Sequence, residues 1–316
     1  MSTLLWNAWR APGRVAQHIV WALLFVALAT TSCRIIPPAI TVGSKDFAEE
    51  LLLGEMYAQV LEHAGLRVTR KFNLGPTPVL HEALLKGEVD VYPEYTGTAL
   101  LTVLKLPADN DPIRVYETVV AAYRQQFGLE WLDPAPASNG QAIAMTKAEA
   151  GRLRIVTLSQ FAQRARERAA RGLPLVLAGP AEFQEREDGL PGLKRVYGDF
   201  EIDYWPIGSA GRYQMLTSGE ADAVVAFETD GELGGFDLSV LIDDRGLFPP
   251  YNIAPVARAS VAQAHPQLAE SLNALAPRLN ARVLRSLNFE ITVRQRPPAD
   301  VAREFLLREG LIRQTP

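Results

Sequence analysis

Short apolar runs alternate with amphipathic segments along most of this chain. The run Ile40–Gly43 predicts a strand. In the segment after it, Phe47, Leu51 and Met56 recur at roughly helical spacing, and Gly65 follows as a stop signal. The pattern therefore predicts a strand followed by one long helix.

The alternation continues with a strand over 67–72, a helix over 78–86 and a strand over 89–92. Strands that alternate with helices in this way predict a parallel sheet with right-handed crossovers. A second α/β region is indicated by a helix over about 210–218 and an apolar strand over 221–227.

Two turn-rich loops separate these regions. The loop 133–140 precedes a strand that begins at Gln141, and the Pro-containing loop 243–252 comes after the second α/β region. We interpret both as crossings between two α/β domains, which a chain of 316 residues is long enough to form. The tail from about residue 261 is predicted to be mostly helical.

The strand in GEVDVYPEYTGTAL ends in tyrosine and threonine where the chain must turn. Tyr95 lies five residues after Asp90, and Phe227 lies five residues after Asp222 in a similar Gly-Glu-x-Asp frame. Open α/β sheets bind ligands at the carboxyl ends of their strands. We therefore expect these aromatic residues to form walls of a ligand cleft.

The N-terminus has the features of an export signal. Arg10 and Arg14 precede an apolar run over 19–29, which is too short to span a bilayer comfortably. Cys33, the single cysteine of the chain, follows small residues, as in the lipobox of bacterial lipoproteins. We predict a signal peptide over 1–32, acylation of Cys33 and a tether over 33–38. The alternative is a cleavable secretory peptide with an incidental cysteine.

Composition excludes several classes of protein. Hydrophobic residues make up 48% and charged residues 22%, which is typical of a folded globular protein. Without the predicted signal peptide, 30 basic and 36 acidic side chains remain, a net charge of −6. A nucleic-acid-binding protein would need a basic face, so no nucleic-acid partner is expected.

No motif for catalysis stands out. The four histidines have no metal-ligand spacing, and the chain has neither a P-loop nor a G-x-G-x-x-G motif. We therefore expect no metal, no cofactor and no enzymatic activity, and we expect binding of a small molecule instead. An envelope enzyme or a structural lipoprotein that reuses the same fold stays open as an alternative.

Five segments, in order along the chain, resemble the substrate-binding proteins of osmoprotectant ABC importers. They are GSKDFAEELLLGEM, GEVDVYPEYTGTAL, EFQEREDGLPGLKRVYG, ADAVVAFETDG and DDRGLFPPYN. The resemblance implies an α/β periplasmic-binding-protein fold of type II, with the ligand cleft between two lobes joined by two hinge crossings. The first lobe would combine 39–139 with 251–316, and the second would be 140–250.

The resemblance also implies the ligand class and the residues that bind it. Members of this family capture glycine betaine, proline betaine or choline outside the cytoplasm and deliver it to membrane permease subunits. The positions that correspond to the family's ligand-binding residues are Lys45, Tyr95, Thr98, Asn139, Gln141, Arg186, Phe227 and Tyr251.

The quaternary ammonium cannot donate hydrogen bonds, so the family holds it in a cage of four tyrosines, each worth about 0.5–2 kcal/mol. Here those positions are Tyr95, Gln141, Phe227 and Tyr251, so one wall is not aromatic. Asn139 would contribute a backbone contact. The Gln141 departure leaves open a different small zwitterion or amine as the cargo.

The carboxylate of the ligand is expected on Lys45, Thr98 and Arg186. Lys45 stands at a strand-to-helix turn, where helix amides and a cation both favour an anion. Taken singly, such cations are more often solvated surface charges, and strand-end aromatics are more often core residues. We predict a protein of the periplasm or cell surface, held to a membrane by its lipid anchor.

Overall fold

The computed structural model describes residues 39–314. Within this range ten strands form two five-stranded sheets. The first sheet has the order β2-β1-β3-β10-β4, and the second has the order β7-β6-β8-β5-β9. The predicted signal peptide, Cys33 and tether lie outside the described residues.

The strands of the first sheet are β1 (Ile40–Gly43), β2 (Val68–Lys71), β3 (Val91–Tyr95), β4 (Leu129–Trp131) and β10 (Ile253–Arg258). The strands of the second sheet are β5 (Gln141–Thr146), β6 (Leu175–Gly179), β7 (Ile202–Pro206), β8 (Ala223–Phe227) and β9 (Leu238–Val240).

Helices cover the sheets. They are α1 (Ala48–His63), α2 (Thr77–Leu85), α3 (Pro112–Phe127), α4 (Lys147–Leu153), α5 (Leu158–Ala169), α6 (Leu190–Tyr197), α7 (Ser209–Ser218), α8 (Glu232–Gly235), α9 (Ala259–Ala264), α10 (Pro266–Leu275), α11 (Ala281–Thr292) and α12 (Pro298–Arg308). A helical turn at Thr96–Thr98 continues as a π-helical turn over Ala99–Val103, and short 3₁₀ turns occur at Ala181–Gln184 and Ala276–Arg278. Of the helices within 39–314, none is both long and apolar enough to cross a membrane.

The first sheet is mixed, whereas the sequence pattern predicted a parallel one. β1 runs parallel to β2 and β3, as predicted, but β10 is antiparallel to both β3 and β4. The chain enters β10 from the second sheet and not through a crossover helix, so the rule for parallel crossovers does not set its direction.

Burial of the apolar face of α1 holds the first sheet and the C-terminal helices together. Leu52, Leu53 and Met56 of α1 are fully buried, and they belong to the same core as Phe305 and Leu306 of α12. This packing fixes the N-terminal turn of α1, with its adjacent glutamates, near the carboxyl ends of β1 and β3.

The chain passes between the sheets twice, from β4 to β5 and from β9 to β10. The two crossing segments pair with each other through an isolated antiparallel bridge between Ser138 and Asn252. This arrangement is the one expected for two hinge crossings. The lobe boundaries 39–139 with 251–316 and 140–250 stay a prediction.

Candidate functional site

The paired crossing segments position the first candidate residues. The Asn139 amide donates to the Tyr251 carbonyl at 3.0 Å, and the Tyr251 amide donates to Ser138 Oγ at 3.1 Å. Gln141 begins β5 two residues after Asn139. Three of the predicted ligand-binding residues therefore lie at one place where the chain changes sheets.

The Tyr251 ring packs directly against the turn that follows β3. A Cβ atom built on Gly97 would lie 2.7 Å from Cδ1 of this ring and 2.8 Å from the Pro250 carbonyl oxygen. Glycine is required there by this close approach. The contact brings Tyr251 next to Thr98, which is half-buried and whose hydroxyl has no hydrogen-bond partner in the described chain.

A carboxylate that the sequence analysis missed lies at the centre of the site. Asp188, only 3% exposed, accepts hydrogen bonds from Arg186, Gln141 and Tyr251. Arg186 donates from Nε to Oδ1 at 2.9 Å and from Nη2 to Oδ2 at 2.7 Å, and Gln141 Nε2 donates to Oδ2 at 2.5 Å. Burial raises the pKa of the Tyr251 hydroxyl and Asp188 raises it further, so Tyr251 is a neutral donor to Asp188.

Tyr95 is held by a second buried carboxylate. Its hydroxyl donates to Glu49 Oε1 at 2.8 Å, and Asn139 Nδ2 donates to the same oxygen at 2.9 Å. Asn288 Nδ2 of α11 donates to Glu49 Oε2 at 2.7 Å. Burial raises the pKa of Glu49, and hydrogen bonds from Thr229, Tyr95 and Asn288 oppose that rise.

Lys45 is buried and already paired with protein carboxylates. Its Nζ donates to Glu94 Oε1 at 2.5 Å and lies 3.8 Å from Glu50 Oε1. The ammonium also lies 4.7 Å from the centroid of the Tyr95 ring. In this structure Lys45 therefore neutralises an acidic cluster beneath Tyr95, and its predicted contact with a ligand carboxylate stays a prediction.

Phe227 ends β8 beside Gln141 of β5. The two residues are cross-strand partners, so their side chains lie on the same face of the second sheet. The guanidinium carbon of Arg212 lies 5.3 Å from the Phe227 ring centroid, so one face of this ring already holds a cation. Phe227 thus offers a ligand less aromatic surface than a free ring would.

Two groups of predicted residues are thus brought together, each around one acid. Tyr95 and Asn139 share Glu49, and Gln141, Arg186 and Tyr251 share Asp188. Glu49 and Asp188 both lie within quoted motifs, but an isolated acid is most often solvated, so no sequence signal marked them as buried.

The site has no arrangement typical of metal catalysis. Across residues 39–314 no cluster of histidine, cysteine and acidic side chains could hold a metal ion. The buried carboxylates are instead surrounded by phenol, amide and cationic groups. Such an environment can bind a cation by electrostatic attraction and aromatic contact.

Comparison with known proteins gives the family. The family model described as "Substrate binding domain of ABC-type glycine betaine transport system" matches residues 38–308. The glycine betaine-binding protein YehZ of Escherichia coli (strain K12) is 34% identical over an alignment of 305 residues, and the match covers 92% of this chain and 97% of YehZ.

A second relative is the ergothioneine transport permease/ergothioneine binding protein EgtU of Helicobacter pylori (strain G27). It is 31% identical over an alignment of 311 residues, and the match covers 96% of this chain but only 55% of EgtU.

Solved structures agree with the fold. Apo YehZ from E. coli superposes with a TM-score of 0.67 at 33% identity, covering 86% of this chain and 99% of that one. A structure described as a glycine betaine/carnitine/choline ABC transporter superposes with a TM-score of 0.74 at 27% identity, again covering 86% of this chain and 99% of that one. The predicted two-lobed α/β binding-protein fold is confirmed.

Proposed function

This chain belongs to the family of substrate-binding domains of ABC-type glycine betaine transport systems, and we propose that it captures a betaine-type solute between its sheets for delivery to a membrane permease. The ligand would be a small zwitterion with a quaternary ammonium. On this proposal the protein binds its ligand without converting it.

One observation carries the proposal. Two buried tyrosines each donate their hydroxyl to a buried carboxylate: Tyr95, at the end of β3, donates to Glu49, and Tyr251, in the second crossing, donates to Asp188. A phenol that donates to an anion gains electron density in its ring, because hydrogen bonds polarise their donors. Both rings and both acids therefore favour a cation between them. A methylated ammonium has no N–H group to donate, so it is bound by aromatic ring faces rather than by hydrogen-bond acceptors.

A different cargo in the same transport role is favoured by Gln141. Its Nε2 donates to Asp188 and, at 3.2 Å, to the Tyr251 hydroxyl, while Oε1 has no hydrogen-bond partner within 39–314. A free amide oxygen suits a solute that carries an N–H or hydroxyl group. The relative named for ergothioneine indicates that the cargo differs among proteins this similar to the chain.

We also propose that the chain is exported and anchored through Cys33. The basic residues, the apolar run and the cysteine after small residues support this proposal. A lipid-anchored protein at the outer side of the cytoplasmic membrane, or in the periplasm, would be positioned to dock on its permease.

A thermal-shift screen tests the function. The panel contains glycine betaine, proline betaine, carnitine, choline, ectoine and amino acids. A ligand at 100 times its dissociation constant stabilises the protein by about 2.7 kcal/mol. We expect betaine-type solutes to raise the melting temperature and to be recovered unchanged. Turnover of a solute would support the enzyme alternative, and no shift with any solute would support a structural role.

A further inference from the structure

The helical turn α8, which follows β8, fits closely against α11. A Cβ atom built on Gly231 would lie 2.4 Å from the amide nitrogen of Phe289 and 2.6 Å from its Cα. A Cβ atom on Gly235 would lie 2.4 Å from Cε2 of the Phe289 ring. Gly231 has φ −62° and ψ −35°, which any residue adopts in a helix. Glycine at this position is therefore required by the contact with α11 and not by its own backbone conformation.

The two elements belong to different cores. Leu233 of α8 packs against a core on one face of the second sheet, and Asp230 accepts from the Phe227 amide at the end of β8 at 2.8 Å. Leu284 and Leu287 of α11 lie in the core that contains residues of β1 and α1. The contact between α8 and α11 therefore bridges the two parts of the chain that the crossings connect.

Asn288 of α11 ties this contact to the candidate site. Its Nδ2 donates to the Thr229 carbonyl at 2.8 Å and to Glu49 Oε2 at 2.7 Å. Asn288 is only 4% exposed, and because both partners are acceptors, both hydrogens of its amide are used. Thr229 also forms a side-chain hydrogen bond to Glu49. Since Glu49 accepts from the Tyr95 hydroxyl, separation of α8 from α11 would disturb the support of Tyr95.

Separation of the two sheets would break hydrogen bonds between buried groups. Glu49 would lose the bond from Thr229, and the Thr229 carbonyl would lose the bond from Asn288. A buried acceptor that loses its donor is destabilised until water replaces that donor. The contact therefore favours the arrangement in which the sheets are close together. Binding proteins of this architecture close by hinge motion around their ligands, so such a contact slows ligand release.

We propose that α8 and α11 form a latch that holds the cleft closed over its ligand, with Asn288 as the positioning residue that connects the latch to Glu49 and Tyr95. The inference rests on the proposed function and adds the contact that governs release of the ligand. Asn288, Gly231 and Phe289 act through the latch and make no contact with the ligand themselves.

Gly231→Ala and Gly234→Ala are a matched pair of variants in one helical turn. A Cβ atom on Gly231 would clash with α11, whereas a Cβ atom on Gly234 would meet nothing within 4 Å in the described chain beyond its own turn. Rapid-mixing kinetics with glycine betaine compares them. We expect Gly231→Ala to release glycine betaine about tenfold faster than the wild type, with an association rate that does not fall. Gly234→Ala should release it at the wild-type rate.

Asn288→Leu tests the positioning residue. Leucine is similar in size but donates no hydrogen bond, so we expect release of glycine betaine to become about threefold to thirtyfold faster. When Asn288→Leu is combined with Gly231→Ala, the two effects should not add, because both changes open the same contact. Ser286→Leu, at an exposed position of α11, is the control and should behave like the wild type. Full additivity in the double variant would contradict the role of Asn288 in the latch.

Small-angle X-ray scattering of the proteins without ligand separates the latch from the proposed function. We expect a larger radius of gyration for Gly231→Ala than for the wild type and Gly234→Ala. That difference, in a protein that binds no glycine betaine, would support the latch and overturn the betaine function. Equal radii and equal release rates in the two glycine variants, or slower release from Gly231→Ala, would overturn the latch while the proposed function stands.

Discussion

Arg186 and Asp188 form a two-pronged ion pair, with Nε to Oδ1 at 2.9 Å and Nη2 to Oδ2 at 2.7 Å. The arginine that the family resemblance assigns to the ligand is thus already matched to an acid two residues away. Asp188 also accepts from Tyr251 and Gln141, so it links the second crossing to the start of β5 in the second sheet. Asp188 therefore supplies the negative charge that Arg186, Gln141 and Tyr251 all contact.

Asp188→Asn should affect the ammonium end and the carboxylate end of the ligand differently. Without the negative charge we expect choline affinity to fall about threefold to thirtyfold, because the cation near Tyr251 loses a partner worth about 1–2 kcal/mol. Arg186 loses its competing carboxylate, so glycine betaine should lose less affinity than choline. Calorimetry on both ligands measures the difference. The control variant is Asp199→Asn, because Asp199 is an exposed ion-pair partner of Lys194. Equal losses of affinity for both ligands in Asp188→Asn would contradict the interpretation.

Gln141→Tyr tests which cargo the site prefers. For a quaternary ammonium without N–H groups, the new ring should tighten binding by about 0.5–2 kcal/mol. For a solute whose N–H or hydroxyl bonds to the Gln141 amide oxygen, the same change should weaken binding by about 1–3 kcal/mol. Titrating glycine betaine into both proteins decides between these outcomes. Weaker binding of glycine betaine by the variant would argue against the betaine assignment.

Stability should fall as pH rises because of Glu50. Burial raises the pKa of this carboxyl from 4.5 to about 8, although the Lys45 ammonium lowers it and the Glu94 carboxylate adds to the rise. Between those values the folded state holds a proton that the unfolded state releases, so the free energy of unfolding decreases from about pH 4.5 to about pH 8.

Glu50→Gln should flatten that decrease, because the amide does not titrate. Urea unfolding at pH 5 and at pH 8 measures it, with the exposed Glu82→Gln as control. If Glu50→Gln and Glu82→Gln lose the same stability as the wild type over this range, the burial of an ionisable Glu50 does not govern the pH dependence.

Cys33→Ser tests the anchor. Cleavage behind Ser32 would make Cys33 the first residue, and acylation there would hold the protein to membranes. We expect the variant to move from the membrane fraction to the soluble fraction after cell disruption, and mass spectrometry of the wild type to find a modified cysteine. An unmodified Cys33, or cleavage beyond it, would refute the lipoprotein hypothesis.

The sequence predicted the local elements well where periodicity was strong. The long helix after Ile40–Gly43 became α1, and the helix expected over about 210–218 is α7, Ser209–Ser218. The strand expected over 89–92 is shifted to Val91–Tyr95, because the apolar alternation does not mark where pairing with β10 ends. Because of this shift, Tyr95 is the last residue of the strand and so lies at the strand end that forms part of the candidate site.

The burial of Glu49, Asp188 and Arg212 was not predicted from the sequence, for a physical reason. A charged residue near the start of an amphipathic helix, such as Glu49 or Arg212, is solvent-exposed in most proteins. Each is buried here by contacts far apart in sequence, from Asn288 to Glu49 and from Asp230 to Arg212. Long-range contacts of this kind leave no periodic signal. The family resemblance therefore suggested cage positions, which stay a prediction, without revealing the charges around them.

Titration of glycine betaine into the purified protein, followed by calorimetry, tests the central claim most directly. We predict saturable binding of one ligand per chain and a loss of at least about 1–2 kcal/mol for both Tyr95→Ala and Tyr251→Ala. Tyr116→Phe, which removes a hydroxyl bonded to the Leu132 carbonyl, should bind like the wild type. Wild-type affinity in both alanine variants would mean that Tyr95 and Tyr251 only pack, and no binding by the wild type would contradict the betaine function itself.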